Sequence, residues 1–299
     1  MRKGILKFAT TLALSTSSVF ACDIHGQTGF APANNLRISV NDKASNGMTE
    51  ARFNSIIEKV EKVYAPVVKQ KGGALKVERK WTDDTVNAYA QRSGSTWMVS
   101  MFGGLARHEL VTDDGFMLVV CHELGHHIGG APKKGSWSSV WASNEGQADY
   151  FGAMKCARRV LESEDNISIV AKMNVDQDAK DKCTAIYKNE GEIALCQRIA
   201  MAGKSLAMLL GELGGSSKVA FTTPDKSVVK TTNDAHPAAQ CRLDTYFQGI
   251  LCDKSYDQDV DDKNPVTGVC IKKDGYAFGP RPLCWYKPST AELTGDEQQ

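Results

Sequence analysis

The sequence predicts an α+β fold: a small antiparallel sheet packed beside an apolar helix that carries a His-Glu-x-x-His run, with additional helices behind it. Three observations predict it. Residues 75–81, 85–91 and 96–102 are short, partly alternating runs, the pattern of half-buried strands. Phe116, Met117, Val120, Cys121, Leu124 and Ile128 then recur at helical spacing. Three further helical stretches lie downstream, and 299 residues are enough to build a large core.

The chain divides into four parts. Residues 1–21 read as a signal peptide, with Arg2, Lys3 and Lys7 before a mostly small and apolar run and Val19-Phe20-Ala21 at the cleavage position. After it no stretch approaches 18 apolar residues, so no membrane span is expected. Residues 22–35 are rich in Gly, Pro and Asn and are expected to form a flexible tether. Residues 36–251 form the main domain. Its first helix starts near Thr49 with Phe53, Ile56, Ile57, Val60, Val63, Tyr64 and Val67 on one face. Pro66 is expected to kink or end that helix, and Gly72-Gly73 to stop it.

Within the strand region, Arg92-Ser93-Gly94-Ser95 is a hairpin turn. Thr112 or Asp113 caps the helix that follows, and Gly129-Gly130 with Pro132 stops it. Ser143 or Asn144 opens the next helix, residues 145–161. A longer apolar helix covers Glu190–Leu213, and another follows Pro237 to about Leu251. Residues 252–299 are polar, turn-rich and too poor in apolar residues for a core of their own. Disulfides are expected to pin this extension to the main domain.

Charge and cysteine usage narrow the function. Without Arg2, Lys3 and Lys7 the chain has 33 basic and 35 acidic residues, which offers no electrostatic footprint for nucleic acid. Nine cysteines without metal-type CxxC spacing point to an oxidising compartment. Val19-Phe20-Ala21-Cys22 resembles a bacterial lipoprotein box, although Phe20 is unusual there. A lipid on Cys22 is the one membrane attachment expected, and plain secretion is the alternative. Lipidation would leave eight thiols, enough for four disulfides.

The chemistry lies in Cys121-His122-Glu123-Leu124-Gly125-His126-His127. At 3.6 residues per turn His122 and His126 share a helix face and can share one tetrahedral Zn²⁺. Glu123 flanks the metal and can act on its water. Chance order in this composition yields such a run roughly half a percent of the time, so accident is a poor explanation. A catalytic zinc needs a third protein ligand and one open position. Glu145 and Asp149, four apart at the start of the next helix, offer a ligand and a carboxylate to hold a ligand histidine's free N–H.

These residues, followed by His236-Pro237 and Arg242, resemble the CaaX-prenyl-endopeptidase and HtpX family of gluzincin zinc metalloproteases. Asn87-Ala88-Tyr89-Ala90 and residues 97–105 match that family's pattern before the zinc helix. The likeness spans residues 49–249 and implies a zincin-like fold and a zinc-dependent endopeptidase. It implies zinc on His122, His126 and Glu145, Glu123 as catalytic base, and Asp149 behind a ligand. It further implies His236 and Arg242 as catalytic donors to the oxyanion, although a helix-capping His236 and an internal ion pair at Arg242 weigh equally. Members with several membrane spans are common, so this chain resembles the soluble branch. Residues 252–299 have no counterpart.

The neighbouring residues read more plainly. His127 lies about 100° round the helix from His126 and is expected to pack rather than ligate. Cys121 is a buried thiol or disulfide partner, and His25 and His108 have no partner pattern. Asp257, Asp259 and Asp261 make an acidic loop lacking the Gly and Glu of a calcium loop. A polypeptide substrate is expected to lie along an edge strand near Thr96–Phe102. Two other functions fit the motif: a zinc-binding envelope chaperone or scaffold without activity, and an amidase acting on cell-wall peptides.

Overall fold

Four strands, β1 (Gln27–Gly29), β2 (Ala74–Lys80), β3 (Ala88–Ser93) and β4 (Thr96–Phe102), lie in the order β1-β3-β4-β2 in a computed structural model of the chain. The structure describes residues 27–43, 45–135, 140–216 and 218–293. The expected signal peptide, Cys22 and His25 lie outside them. β3 and β4 form the expected hairpin, turning at Gly94, whose φ of 57° suits glycine.

The sheet is mixed rather than antiparallel. β2, β3 and β4 alternate in direction, but the hairpin inserts β4 between β3 and β2, so β4 runs parallel to β2. β4 is therefore an interior strand and offers no edge to a substrate. β1 forms one edge, antiparallel to β3. The described part of the expected tether, residues 27–35, is thus fixed: Gln27–Gly29 join the sheet, and Phe30 and Ala31 are buried.

Helix α1 (Glu50–Gln70) is capped by the Thr49 hydroxyl, and Phe53, Ile57, Val60, Tyr64 and Val68 form its buried stripe. It runs through Pro66 to Gln70. Pro66 and Lys62, whose carbonyl Pro66 leaves without a partner, are both exposed, so solvent can satisfy that group. After the short α2 (Gly103–Arg107), α3 (Asp113–Ile128) is capped by the Thr112 hydroxyl and is buried on all sides from Gly115 onward. Such a helix is the centre of the core.

Helix α4 (Glu145–Phe151) opens on Asn144, whose side chain accepts from the Gln147 N–H. It passes through a π-helical segment, Gly152–Ala157, into α5 (Arg158–Leu161), where a plain helix was expected. Short helices α6 (Asn166–Val170) and α7 (Gln177–Ile186) lead to α8 (Glu190–Leu213). α8 is long and apolar enough to cross a membrane by length and composition, unlike the expectation, but is mostly buried in the protein. α9 (Ala239–Leu251) packs on α8 and α4.

Eight cysteines form four disulfides among the described residues: Cys121–Cys156, Cys183–Cys196, Cys241–Cys284 and Cys252–Cys270. They imply an oxidising, extracytoplasmic environment. Cys241–Cys284 holds the chain beyond Leu251 against α9, and Cys252–Cys270 closes a loop within that segment. That segment seats Trp285 directly on α4, where a Cβ at Gly146 would lie 2.2 Å from the indole. Tyr150 Oη donates to Gly279 O at 2.6 Å, which fixes the same helix again.

Candidate metal centre

Local sequence brings the ligands together. α3 holds His122 and His126 one turn apart, and the close approach of α4 supplies Glu145. That approach needs Gly125, since a Cβ there would lie 2.9 Å from Ala148 Cα. The three side chains are fully buried. His122 Nε2 and His126 Nε2 are 3.1 Å apart, and Glu145 Oε2 lies 3.3 and 3.6 Å from them. They form a buried His-His-Glu cluster able to hold a metal ion.

The outer ring nitrogens fix which atoms face the centre. His122 Nδ1–H donates to Asp149 Oδ1 at 2.7 Å, and His126 Nδ1–H to Ser143 O at 2.8 Å. Both neutral rings therefore aim an Nε2 lone pair inward. Glu145 Oε2 accepts no hydrogen bond among the described residues. Three lone pairs converge, an arrangement that repels itself until a proton or a cation lies between them.

The electrostatics agree. Burial opposes charge on His122, but Asp149 and then Glu145 outweigh it and raise its pKa to about 9. The cluster draws in a proton where a cation would serve. Burial pushes His126 well below the usual range. Glu145 stays well below the carboxylate range despite burial, because Lys134, His236 and His126 offset it. Asp149 is likewise held low against burial by Arg242 and His122.

Glu123 is fully buried beside the cluster, and neither carboxylate oxygen has a hydrogen-bond partner among the described residues. Burial, reinforced by Glu145, raises its pKa to about 8. A carboxylate in this state costs several kcal/mol unless it serves a ligand, a water or a cation.

No protein-family model matches the chain, and no curated protein or solved structure matches it significantly.

Arg242 directs its donors to internal acceptors. Its Nε and Nη2 donate to both Asp149 oxygens at 2.6 and 2.7 Å, and further donors go to Phe30 O and Tyr246 Oη. It is the internal ion pair, one layer behind His122. His236 does reach the cluster: Nε2 lies 3.5 Å from Glu145 Oε2 and donates to Gly29 O at 2.7 Å.

Lys134 escaped sequence reasoning. It is buried, and its ammonium lies 2.9 Å from Glu145 Oε1, the oxygen turned away from the histidines. A Lys-Lys pair in a Gly/Ser loop carries no signal for this contact. The remaining residues follow the plainer readings. His127 stacks between Trp97 and Trp141, with Nε2 3.0 Å from Met98 O. Cys121 is in a disulfide, and His108 faces Glu212 far along the chain. Asp257 and Asp259 pair with Arg159 and Lys71, and Asp261 accepts from two backbone N–H groups. Asp225 lies near Cys241 and Cys284, but those sulfurs are disulfide-bonded and are not thiolate ligands.

Proposed function

We propose that the chain is a zinc-dependent endopeptidase that hydrolyses peptide bonds of exported or cell-envelope proteins. One observation carries the reading: three converging lone pairs with an unpartnered, buried Glu123 beside them. Ligand atoms 2.0–2.1 Å from a tetrahedral zinc lie about 3.3 Å apart, and the three measured separations bracket that value. Among the described residues two imidazoles and a single carboxylate converge, a donor set that would leave a bound zinc room for water, as in catalytic rather than structural sites. The likeness to the CaaX-prenyl-endopeptidase and HtpX family supports the same reading through the same residues.

Each residue has a part in the chemistry. His122, His126 and Glu145 would hold the ion. Asp149 fixes the His122 ring, and Arg242 fixes Asp149. Bound zinc supplies the positive charge that acidifies a water and polarises the scissile carbonyl. Glu123, beside the ion, would take the attacking water's proton and return it to the leaving amine. His236 offers an N–H to the carbonyl oxygen as charge develops there. The mature chain would work in the periplasm or cell envelope, held by a lipid on Cys22, or be secreted.

Complete burial of the cluster also favours a second reading, a structural zinc in a non-catalytic scaffold. Incubating the protein with casein, with and without zinc, separates the two. Zinc-dependent casein fragments that a chelator suppresses support the peptidase. Stoichiometric zinc uptake with intact casein, across a range of pH, supports the scaffold.

A further inference from the structure

We propose that the edge of β3 beside the metal cluster is the groove for an extended polypeptide, and that the chain's own residues Gln27–Gly29 fill it. The inference rests on the peptidase reading and adds how access to its site is controlled.

The need for such a device comes from burial. His122, Glu123, His126 and Glu145 are 0% exposed, so no peptide bond reaches them unless part of the protein moves. β1 is the piece built to move. It has three residues at the sheet's edge and is held by its ladder to β3, with Gln27, Thr28 and Gly29 opposite Gln91, Ala90 and Tyr89. Strands this short add little stability.

β1 also lies as a bound peptide would. It runs antiparallel to β3 and satisfies the backbone groups that a substrate strand would pair with. The Gly29 carbonyl accepts from His236 Nε2 at 2.7 Å, and that nitrogen is 3.5 Å from Glu145 Oε2. The segment therefore gives a peptide carbonyl to the donor assigned above to the substrate. Glycine allows the approach, because a Cβ at residue 29 would lie 2.9 Å from the Tyr89 ring.

The detachable part ends at Gly29. Phe30 is fully buried edge-on against His122, and its N–H donates to Ala88 O. Arg242 holds its carbonyl. The Asn87 side chain clamps both the N–H and the carbonyl of Ala31 at 3.0 Å. Phe30 and Ala31 thus anchor the chain while residues 27–29 swing away. A substrate must displace them, so its apparent affinity is reduced by the small fraction of time the groove is open.

The test uses the zinc-loaded full mature chain. Gln27→Cys with Gln91→Cys, oxidised, ties β1 to β3. It should bring casein cleavage to the detection limit, with zinc affinity by chelator competition unchanged. Thr28→Pro weakens the ladder and should raise kcat/KM about fivefold. On the wild-type chain, saturating peptide hydroxamate should speed hydrogen exchange at Thr28 while Ala90 remains protected. A tied variant that cleaves at the wild-type rate, or unchanged exchange at Thr28 with hydroxamate bound, overturns the groove and leaves the peptidase reading standing. Zinc-loaded wild type and Thr28→Pro that both fail to cleave overturn the two together.

Discussion

Asp149 accepts from His122 Nδ1 on the same oxygen, Oδ1, that takes the Arg242 Nη2 donor, each at 2.7 Å. The carboxylate thus passes the rigidity of α9 to a ligand on α3 through fully buried groups. Asp149→Asn keeps the shape but turns an amide N–H toward one of these donors. Metal affinity should fall by about 10- to 100-fold, measured by competition with a chromophoric chelator. Unchanged affinity would mean that His122 is held by packing alone.

Lys134 gives a second test, because its ion pair with Glu145 is buried on both sides. Lys134→Met leaves Glu145 without its largest favourable neighbour. Removing one partner of such a pair costs about 3–5 kcal/mol. A bound cation compensates Glu145, so the loss of Tm should be larger in chelator than in excess zinc. Equal losses in both would show that Glu145 does not serve the metal.

Metal uptake should be pH-dependent in a stated direction. His122 must be neutral to bind, and its pKa is raised to about 9, so protons compete with metal below that pH. Affinity should rise at least about tenfold per pH unit from pH 6 to 8 and level off above pH 9. His126, already held neutral, adds no slope in this window, whereas Glu123, raised to about 8, steepens it by giving up its own proton beside the cation. Isothermal titration in buffers of different ionisation enthalpy should show at least about one proton released per metal at pH 7. No proton release would contradict the His122–Asp149 electrostatics.

The Cys241–Cys284 disulfide joins α9 to the segment that seats Trp285 on α4. Closing a loop with a sequence separation of 43 stabilises by about 4 kcal/mol in the chain-entropy description. Cys241→Ser with Cys284→Ser should lower Tm and also weaken metal binding, since α4 carries Glu145. A lowered Tm with wild-type metal affinity would show that α4 is positioned without Trp285.

What the sequence reveals follows from how local each feature is. His122, His126, Glu145 and Asp149 are readable because helical spacing and two capping residues, Thr112 and Asn144, act within a turn of where they stand. Strand Thr96–Phe102 and helix Glu190–Leu213 match expectation for the same reason. The alternating direction of β2, β3 and β4 is also legible, but spatial order is not. Nothing near residues 74–102 announces that β4 slots between β2 and β3.

Long-range contacts stay hidden. The Arg242–Asp149 pair spans 93 positions and the Phe30 carbonyl lies 212 from Arg242, so no local pattern marks either. Residues 27–35 look like a tether because Gly, Pro and Asn suit both loops and close backbone approach. Only the partners on β3 decide between the two.

The proposed hydrolysis depends on Glu123. Glu123→Gln keeps the side chain's volume, removes its charge and its basicity, and leaves His122, His126 and Glu145 in place. The measurement is zinc content by native mass spectrometry alongside casein turnover, for wild type and variant side by side. One zinc in each protein, with turnover in the wild type and at least about a thousandfold less in the variant, is the predicted result. Equal turnover by the two zinc-loaded proteins would contradict it.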